Sequence, residues 1–389
     1  MADIEVRSDA EIQPALAKAK PGDTVSFAAG TYGQLAVNRQ WADPGVTIRP
    51  APGAKVSFTN VTVANAAGVT VREFTVLSDA IGFMAINSER IVASKLDIHG
   101  ALDGELTAKA GTGVIVRNIK ASEVSDCDVH HTGCGIGHQG CDGLIIRGNT
   151  IHNFRFDGVR GGSSNLTVEG NEIRDMYPAP ADHPDGIQFW TTLLSAPVEN
   201  VTIRRNRVLR NKGLPFQGIF VADEANVGIH GLDIEENLVV SDHFHGISVY
   251  HGTSPKIIGN YVNGHEGAGV RPWIKVEGCT DPVIKDNVCP GNFVTTGSSR
   301  LPASTNVQKN GNKEVGLLPR GDDTLAEAWW AKLTGEPQKH LSQAAPPAGL
   351  GLATGVLATA IVLKTPGTRR TTLGQLAAAV LRVFSGGAA

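Results

Sequence analysis

Aromatic residues are scarce in this chain of 389 residues, where Phe, Trp and Tyr together make up only 5%. Glycine is abundant by contrast, with 46 residues, and asparagine, valine and isoleucine are frequent. This composition is untypical of helical bundles and favours many short strands joined by tight turns. The length suits one elongated domain with an appendage as well as two or three globular domains.

Clusters of basic residues interleaved with aromatics are lacking, and the formal net charge is only −3, so we expect no nucleic-acid partner. The five cysteines are an odd number without metal-type Cys-x-x-Cys pairs, and we expect buried thiols. Residues 1–7 lack the basic and then apolar start of a secretory signal, which predicts synthesis in a cytoplasm. Extracellular or virion-associated action would then require another exit route, such as phage-style lysis, or a signal already removed.

A repeat with a basal period of about 22 residues runs through the middle of the chain. Each copy has alternating apolar residues, two polar residues, a pivot residue and a further pair of apolar positions. The pivots are Phe74, Leu96, Cys127, Asn149, Asn171, Asn206, Asn237, Asn260 and Asn287. The repeat indicates a solenoid of parallel coils, in which the stacked asparagine amides can hydrogen-bond to one another and to turn backbone.

A second set of strands precedes the pivots, and each strand begins with glycine. The predicted strands are 113–116, 135–138, 158–160, 186–190, 218–222, 246–250 and 269–273. The residues predicted to face inward are Val159, Ile187, Ile219, Ile247 and Val270. The outward residues then form one exposed surface, which we call the ribbon, because successive strand residues alternate between two faces. They are Arg160, Gln188, Phe220, Ser248 and Arg271, with Trp190, Ala222, Tyr250 and Trp273 two residues further on.

The opening of the chain carries a more specific pattern. A helix-like segment at 9–20 precedes Pro-Gly-Asp-Thr-Val at 21–25, and Ala-Gly-Thr-Tyr follows at 29–32. This opening resembles the first coil of right-handed parallel β-helices of the pectate lyase-like superfamily, which includes polysaccharide lyases, glycoside hydrolases, uronate epimerases and viral tailspikes. The resemblance implies an all-β, right-handed parallel β-helix solenoid with an N-terminal capping helix and a small, partly helical C-terminal extension.

We expect four regions along the chain. They are an N-terminal cap and first strand at 1–30, the parallel β-helix at 31–295, a linker and short helix at 296–343, and an apolar segment with a C-terminal helix at 344–389. The short helix would be capped by Asp322 or Asp323 and would end at Gly335. Its packed face is predicted to contain Leu325, Ala328, Trp329 and Leu333.

The last region has no charged residue over 344–363, but it consists largely of Ala and Gly. We therefore expect no firm membrane span. The amphipathic segment at 372–384 suits docking, so this region is predicted to attach the chain to a larger particle or to build a homotrimer.

The residues just before the ribbon strands are rich in groups that move protons, and ten of the twelve histidines lie between 130 and 265. A long groove with charged walls and aromatic platforms suits an extended, acidic polysaccharide. The candidates for catalysis are Asp185, His183, His245, Arg271 and Tyr250. The candidates for substrate binding are Arg160, Gln188, Trp190, Phe220, His243, Trp273, Lys275 and Glu266.

Part of the ribbon resembles polygalacturonase-type hydrolases. Asp185 and His245, each followed by glycine, resemble the catalytic Asp-Gly and His-Gly of that family, and Arg271 resembles the substrate-binding arginine of its Arg-x-Lys strand. The chain departs from the family at Gln217, which stands where the family has a pair of aspartates, and at Trp273, which replaces the lysine.

An inverting hydrolase needs two carboxyl groups about 6.5–9.5 Å apart. The second acid would have to come from a neighbouring coil, from Asp157, Asp223 or Glu266.

A lyase or epimerase instead needs a base, a group that stabilises negative charge, and an acid for the leaving oxygen. His183, His245, Tyr250 and Arg271 could fill these roles, and Arg160 and Arg271 could neutralise a uronate carboxylate. If a cation such as Ca²⁺ is used, Asp157 and Asp185 are its natural ligands. The residues leave three functions open: lyase or epimerase, hydrolase, and a non-enzymatic phage-type spike that only binds host glycan.

Overall fold

The structure is a computed structural model, and it describes residues 1–101, 106, 110–291, 293–297 and 310–336. Within these residues the chain winds into stacked coils, and the strand pairings between coils are parallel. The arrangement is a parallel β-helix, which confirms the predicted solenoid. The region predicted at 344–389 lies outside the described residues, so its proposed attachment or trimer role stays a prediction.

Short strands make up nearly all of the coils. The first elements are β1 (Asp3–Val6), α1 (Asp9–Lys18), β2 (Thr24–Phe27), β3 (Gly30–Val37), β4 (Val46–Pro50), β5 (Val56–Ala64), β6 (Ala67–Arg72), β7 (Thr75–Leu77), β8 (Ile81–Ile86), β9 (Glu89–Ser94) and β10 (Asp97–His99). The central elements are β11 (Thr112–Arg117), β12 (Lys120–Ser125), β13 (Asp128–Thr132), β14 (Cys134–Arg147), β15 (Thr150–Phe154), β16 (Asp157–Ser164), β17 (Leu166–Glu169), β18 (Glu172–Met176), β19 (Asp185–Trp190), β20 (Val198–Arg204) and β21 (Arg207–Leu209). The last elements are β22 (Gln217–Ala222), β23 (Ile229–Glu235), β24 (Leu238–Val240), β25 (His245–Tyr250), β26 (Lys256–Ile258), β27 (Tyr261–Asn263), β28 (Trp273–Glu277), β29 (Val283–Lys285), β30 (Val288–Cys289), β31 (Phe293–Thr296), β32 (Lys313–Glu314) and α2 (Thr324–Thr334).

The strands form three ladders, which we call faces 1, 2 and 3 in the order in which a coil visits them. Face 1 comprises β3, β5, β8, β11, β14, β16, β19, β22, β25, β28 and β31. Face 2 comprises β1, β2, β4, β6, β9, β12, the second half of β14, β17, β20, β23, β26 and β29. Face 3 comprises the start of β5, then β7, β10, β13, β15, β18, β21, β24, β27, β30 and β32.

One apolar core fills the space between the three faces. The inward-facing column on face 1 contains Val159, Ile187, Ile219 and Ile247, which pair in register and are buried as predicted. All five cysteine side chains are also buried and none is in a disulfide, which confirms the expectation of buried thiols.

The asparagine pivots form the predicted ladder at the turn from face 2 to face 3. Each side-chain Nδ2 donates a hydrogen bond of 2.9–3.0 Å to Oδ1 of the asparagine in the next coil. The same Oδ1 also accepts the backbone N–H of the preceding asparagine. Asn312 continues the ladder beyond Asn287, and the sequence repeat missed it because the apolar alternation fades after Pro290.

A glycine column explains why the ribbon strands begin with glycine. Gly158, Gly186, Gly218 and Gly246 lie in register on adjacent coils. A Cβ on Gly218 would lie 2.2 Å from the carbonyl oxygen of Gly246 and 2.4 Å from Cγ1 of Val239. The close approach of backbone and core side chains therefore requires glycine at this position.

We expect Gly218→Ala to lower the free energy of unfolding by about 1–3 kcal/mol, because the added methyl overpacks the stacked coils. Urea denaturation measures this difference. Gly316→Ala is the matched control, since a Cβ there meets no atom within 4 Å, and its effect should stay within about 0.5 kcal/mol. Equal effects of the two substitutions would contradict the packing argument.

The last complete ribbon strand departs from the prediction. The sequence pattern predicts this strand at 269–273 with Val270 facing inward. In the structure β28 begins at Trp273, and Ile274 is the residue that pairs with Ile247. The predictions for Val270 and for Arg271 on the ribbon are therefore wrong. Pro272 has no N–H to donate to a ladder, so regular pairing resumes only after it.

The two helices lie near opposite ends of the described chain. In α1, Ile12 and Leu16 are buried in the core, which confirms the predicted capping helix. Helix α2 ends at Gly335 in the left-handed conformation, as predicted. Neither helix combines the length and apolar character that a bilayer span requires within the described chain.

The packed face of α2 confirms the prediction for Trp329 and Leu333, which pack against the cluster around Tyr261, and differs from it at Leu325. Its buried residues are Ala326, Glu327 and Trp330, whereas Leu325 is exposed. Glu327 forms a buried ion pair with Arg207 of face 3.

Candidate functional site

The candidate site lies on face 1 and on the turn that enters it from face 3. Strands β16, β19, β22, β25 and β28 place chemically active side chains in three rows across the coils. The rows are Asp157, Asp185 and Gln217; Arg160, Gln188, Phe220, Ser248 and Lys275; and Trp190, Ala222, Tyr250 and Glu277. Neighbouring strands are about 4.8 Å apart, so the members of a row lie within contact distance. The predicted register of the ribbon is confirmed from Arg160 to Tyr250, and Lys275 and Glu277 take the positions predicted for Arg271 and Trp273. The predicted exposure is wrong for Arg160, Gln188, Ser248 and Ala222, whose side chains are buried.

Asp185 is the most deeply buried carboxyl group of these rows. Its backbone N–H donates to Oδ1 of Asp157 at 3.0 Å, and its Oδ2 accepts a hydrogen bond from Nε2 of Gln188 at 2.8 Å. Nδ1 of His183 lies 3.3 Å from the same Oδ2. Among the described residues the other oxygen, Oδ1, has no hydrogen-bond partner. One oxygen of Asp185 is therefore fixed and the other is available.

His183 lies above Asp185 and its side chain is 66% exposed. With Nδ1–H donating to Asp185, its Nε2 accepts from the amide of Gln217, whose Nε2 is 2.7 Å away. A buried carboxylate that orients an exposed imidazole fixes the tautomer of that imidazole and its direction. The structure thus brings together His183 and Asp185, two of the predicted catalytic candidates.

The acidity of this pair is shifted toward neutral pH. Burial raises the pKa of Asp185 to about 7, the charge of Asp157 acts in the same direction, and the hydrogen bond with His183 opposes it. That hydrogen bond raises the pKa of His183. Burial also raises the pKa of Asp157, against the nearby Arg160 guanidinium. His183 and Asp185 can therefore exchange a proton with a ligand near neutral pH.

Several buried polar atoms of the ribbon lack partners within the described structure. They are Oδ1 of Asp185, Oε1 of Gln188, Oε1 of Gln217 and Nε1 of Trp190. Buried polar groups are nearly always hydrogen-bonded, and an unpaired one costs about 1–3 kcal/mol. All four lie on β19 or β22, so the unpaired polar groups of the site are concentrated in these two coils.

Aromatic rings form an apolar platform beside these atoms. The Phe220 ring contacts His183, His245 and Tyr250 at centroid distances of 6.0, 5.7 and 5.3 Å. Trp273 packs edge-on against His245 at 5.3 Å. A few convergent polar groups next to apolar rings are typical of ligand-binding surfaces.

His243 and His245 remain neutral at pH 7. Burial lowers the pKa of His243 to about 4, and burial with the neighbouring His243 and Lys275 charges lowers that of His245 to about 3. Nδ1 of His245 is 2.7 Å from Oγ of Ser248, which also accepts from Nε1 of Trp273 at 3.3 Å. Within the described residues Nε2 of His245 forms no hydrogen bond. This nitrogen of the neutral ring can therefore donate or accept a hydrogen bond beside the Phe220 platform.

Lys275 and Tyr250 supply a cation and a hydroxyl group at the far end of the ribbon. Nζ of Lys275 lies 2.5 Å from Glu277 and 5.2 Å from the centroid of the Tyr250 ring. Burial acts to lower the pKa of Lys275, but its hydrogen bond with Glu277 produces a net rise. Burial raises the pKa of Tyr250. Lys275 is therefore charged and Tyr250 protonated at neutral pH.

Arg160 supports the floor of the ribbon. Its Nη1 donates to Oδ2 of Asp157 at 2.8 Å, and its guanidinium stacks over the Trp190 ring at 4.8 Å. The carboxylates do not suit Ca²⁺, because Arg160 already neutralises Asp157 and Asp185 binds His183 and Gln188. A calcium ion takes six to eight oxygen ligands, which this pair does not provide.

Two sequence candidates lie away from the rows. Arg271 is exposed before β28, where its Nη1 donates to the carbonyl of Pro290 at 2.9 Å. Glu266 is exposed after β27, and its backbone N–H donates to the carbonyl of Leu318. The structure does not bring either side chain into contact with Asp185.

Asp223 has a structural environment. It accepts a hydrogen bond from Oγ1 of Thr191 at 2.7 Å and from the backbone N–H groups of Val227 and Gly228 at 3.0 and 2.8 Å. Both oxygens are thus used to hold a turn.

Sequence reasoning missed three contributors to the site. Gln217 was noted only as a departure from a hydrolase pattern, yet it contacts His183. Ser248 orients His245, and Glu277 pairs with Lys275. The contact between Lys275 and Glu277 could have been predicted, because residues two positions apart in a strand lie on the same side of it.

Comparison with known proteins places the chain among proteins of this architecture. The family model described as "Right handed beta helix region" matches residues 59–189 and 111–273, which together span more than half of the chain. No curated protein sequence matches significantly. The Dettilon tailspike protein superposes with a TM-score of 0.54 at 13% identity, over 80% of this chain and 64% of that chain. This likeness shows the fold alone.

Two further solved structures have lower scores. The GH136 lacto-N-biosidase from Eubacterium ramulus has a TM-score of 0.49 at 11% identity, over 81% of this chain and 67% of that chain. The alginate lyase from Paenibacillus sp. has a TM-score of 0.46 at 13% identity, over 76% of this chain and 98% of that chain.

Proposed function

Since the chain belongs to the right-handed β-helix family, whose stacked coils present one long surface, we propose that it binds an extended acidic polysaccharide along the ribbon and cleaves it by β-elimination. The observation that carries the proposal is the pair of Asp185 and His183 beside unpartnered buried polar atoms and the Phe220 platform. A polymer that crosses several coils would contact the exposed His183 and the Phe220 platform at once.

The groups around Phe220 match the three requirements of elimination from a uronate. His183, whose Nδ1–H is held by Asp185, removes the proton at the carbon next to the carboxylate through Nε2 when the substrate displaces the Gln217 amide from that nitrogen. Lys275 stabilises the negative charge that develops on that carboxylate. The bond from the ring to the glycosidic oxygen breaks as the carbon–carbon double bond forms, and the Tyr250 hydroxyl donates its proton to the leaving oxygen.

Hydrolysis by paired carboxyl groups is less well supported. It requires a second carboxyl group that can act on water or on the leaving oxygen. Within the described rows Asp157 is paired with Arg160, and Glu277 is paired with Lys275. Asp223, behind them, is occupied by a turn. Among the carboxyl groups of these rows, only Asp185 has a buried oxygen without a partner.

The test is incubation of the pure full chain with a panel of uronate-containing and neutral polysaccharides. Ultraviolet absorbance of unsaturated uronates and the release of reducing ends are followed in parallel. We expect both signals together on at least one acidic polymer. Reducing ends without unsaturation would replace elimination with hydrolysis, and altered uronate stereochemistry without cleavage would indicate an epimerase.

We expect His183→Ala to lower kcat by about 10²–10⁴-fold, because positioned general bases contribute rate factors of that size. His230→Ala, a half-buried histidine on β23 of face 2, is the matched control and should leave kcat unchanged. Tight polysaccharide binding without turnover, unchanged by His183→Ala, would instead establish a binding protein of the spike type.

A further inference from the structure

A histidine cluster on face 3 lies apart from the ribbon. His99 on β10 pairs in register with His130 on β13, and their rings stack at a centroid distance of 4.7 Å. His131 is the next residue, and its ring stands edge-on to both, at 4.9 Å from His99 and 5.1 Å from His130. One ring nitrogen from each of the three lies within 4.8 Å of the other two.

We propose that His99, His130 and His131 form a binding site for a divalent transition-metal ion, with Zn²⁺ as the best fit. Neutral imidazole nitrogens suit zinc, copper and nickel, whereas Ca²⁺ and Mg²⁺ prefer oxygen. Three histidines with a water in the fourth position make a common open zinc site. This proposal stands independently of the proposed polysaccharide chemistry.

The backbone of His131 directs two adjacent side chains to the same place. Consecutive residues of a strand normally point to opposite faces. His131 has a φ of 54°, in the left-handed region, and this conformation brings its Nδ1 to 2.8 Å from Nδ1 of His130. Ligand nitrogens of a tetrahedral zinc ion lie about 3.3 Å apart, given bond lengths of about 2.0–2.1 Å. Small ring rotations would therefore complete the site.

Asp97 orients His130 as a ligand. Its Oδ1 lies 3.0 Å from Nε2 of His130, so Nε2–H donates to the carboxylate and Nδ1 accepts the hydrogen bond from Nδ1–H of His131 at 2.8 Å. A metal ion bound to both Nδ1 atoms would replace this proton, which His131 can carry on Nε2 instead. Such a carboxylate–histidine contact is found in most histidine metal sites. In the part of the chain that the structure describes, His99 forms no hydrogen bond through its ring nitrogens, so it can bind through either.

The next coil repeats the histidine–aspartate contact, but it has asparagine where this coil has His131. His152 pairs with His130 and places Nε2 at 3.0 Å from Asp128. Its other nitrogen, Nδ1, is 2.7 Å from Oδ1 of Asn153, which has the position and the left-handed backbone of His131. Asn153 thus places an amide oxygen next to Nδ1 of His152. In the preceding coil, His131 places a second imidazole nitrogen next to Nδ1 of His130.

The experiment is calorimetric titration of the full chain, stripped with a chelator, with Zn²⁺ alone. We expect one zinc ion per chain with a dissociation constant in the micromolar range or below. Substitution of Co²⁺ should give the visible absorption of a low-symmetry nitrogen site.

Matched variants come from the neighbouring coils. His131→Asn introduces the residue of the next coil, and His99→Leu introduces Leu77 of the preceding coil, so both should fold. Each is expected to weaken zinc binding at least tenfold, and Asp97→Asn about 10–100-fold. His230→Ala should leave it unchanged. Absence of zinc binding, equal binding by all variants, or loss on His243→Ala instead would overturn the proposal.

Discussion

Asp185→Asn is expected to stabilise the protein above pH 7 and at the same time to abolish turnover. Asparagine keeps the shape of the side chain and an oxygen for the Gln188 amide, but it removes a carboxyl group that burial disfavours in its charged form. The turnover is lost because His183 no longer has a carboxylate partner that orients it and maintains its basicity. Stability and activity therefore oppose each other at this residue.

The pH dependence follows from the raised pKa of Asp185. The unfolded carboxyl ionises near 3.8, whereas the folded one ionises near 7. Between these values the unfolded state has lost its proton and the folded state has kept it, so stability falls with rising pH and levels off above 7. At about 1.36 kcal/mol per pH unit, the shift of Asp185 corresponds to a loss of roughly 4 kcal/mol, and the raised pKa of His183 acts in the same direction.

Urea denaturation of both proteins at pH 4 and pH 8 measures this effect. The variant should match the parent at pH 4 and exceed it by roughly 4 kcal/mol at pH 8. Glu235→Gln, at a half-buried position on face 2, is the control and should not alter the pH curve. A variant less stable than the parent at pH 8 would show that Asp185 is a structural carboxylate.

Asn206→Ala is expected to destabilise the β-helix by about 3–6 kcal/mol. Nδ2 of Asn206 donates to the carbonyl of Val168 at 2.9 Å and to Oδ1 of Asn237 at 3.0 Å. Its Oδ1 accepts from the backbone and the side chain of Asn171, at 3.0 and 2.9 Å. Alanine leaves several of these buried groups unpaired, at about 1–3 kcal/mol each.

Chemical denaturation of Asn206→Ala measures this loss, and Gln34→Ala is its control. Gln34 makes an exposed amide hydrogen bond of 3.2 Å to Thr62 between adjacent coils, and its removal should change stability by less than about 0.5 kcal/mol. If Asn206→Ala lowers the free energy of unfolding no more than Gln34→Ala does, water must satisfy the groups that lose their asparagine hydrogen bonds. Such an outcome would remove the energetic reason for the repeated asparagine.

Much of the fold was predictable because a β-helix repeats one local pattern. The alternation that predicted inward Val159 and Ile187 holds over several coils, and the stacking of coils turned a spacing in the sequence into the asparagine ladder. The prediction failed at Val270, because the turn into face 1 is longer in that coil and β28 begins only after Pro272.

The sequence by itself determined the coil repeat, the ribbon and the choice of His183 and Asp185, since these depend on period and on residue type. Only the tertiary structure decided that Asp185 is buried with a pKa near 7 and that Arg160 serves Asp157 rather than a ligand. It alone brought His99 to His131. The reason is physical: burial and desolvation of these groups depend on the coils stacked on each side, as where His99 and His130 pair, and no local pattern specifies them.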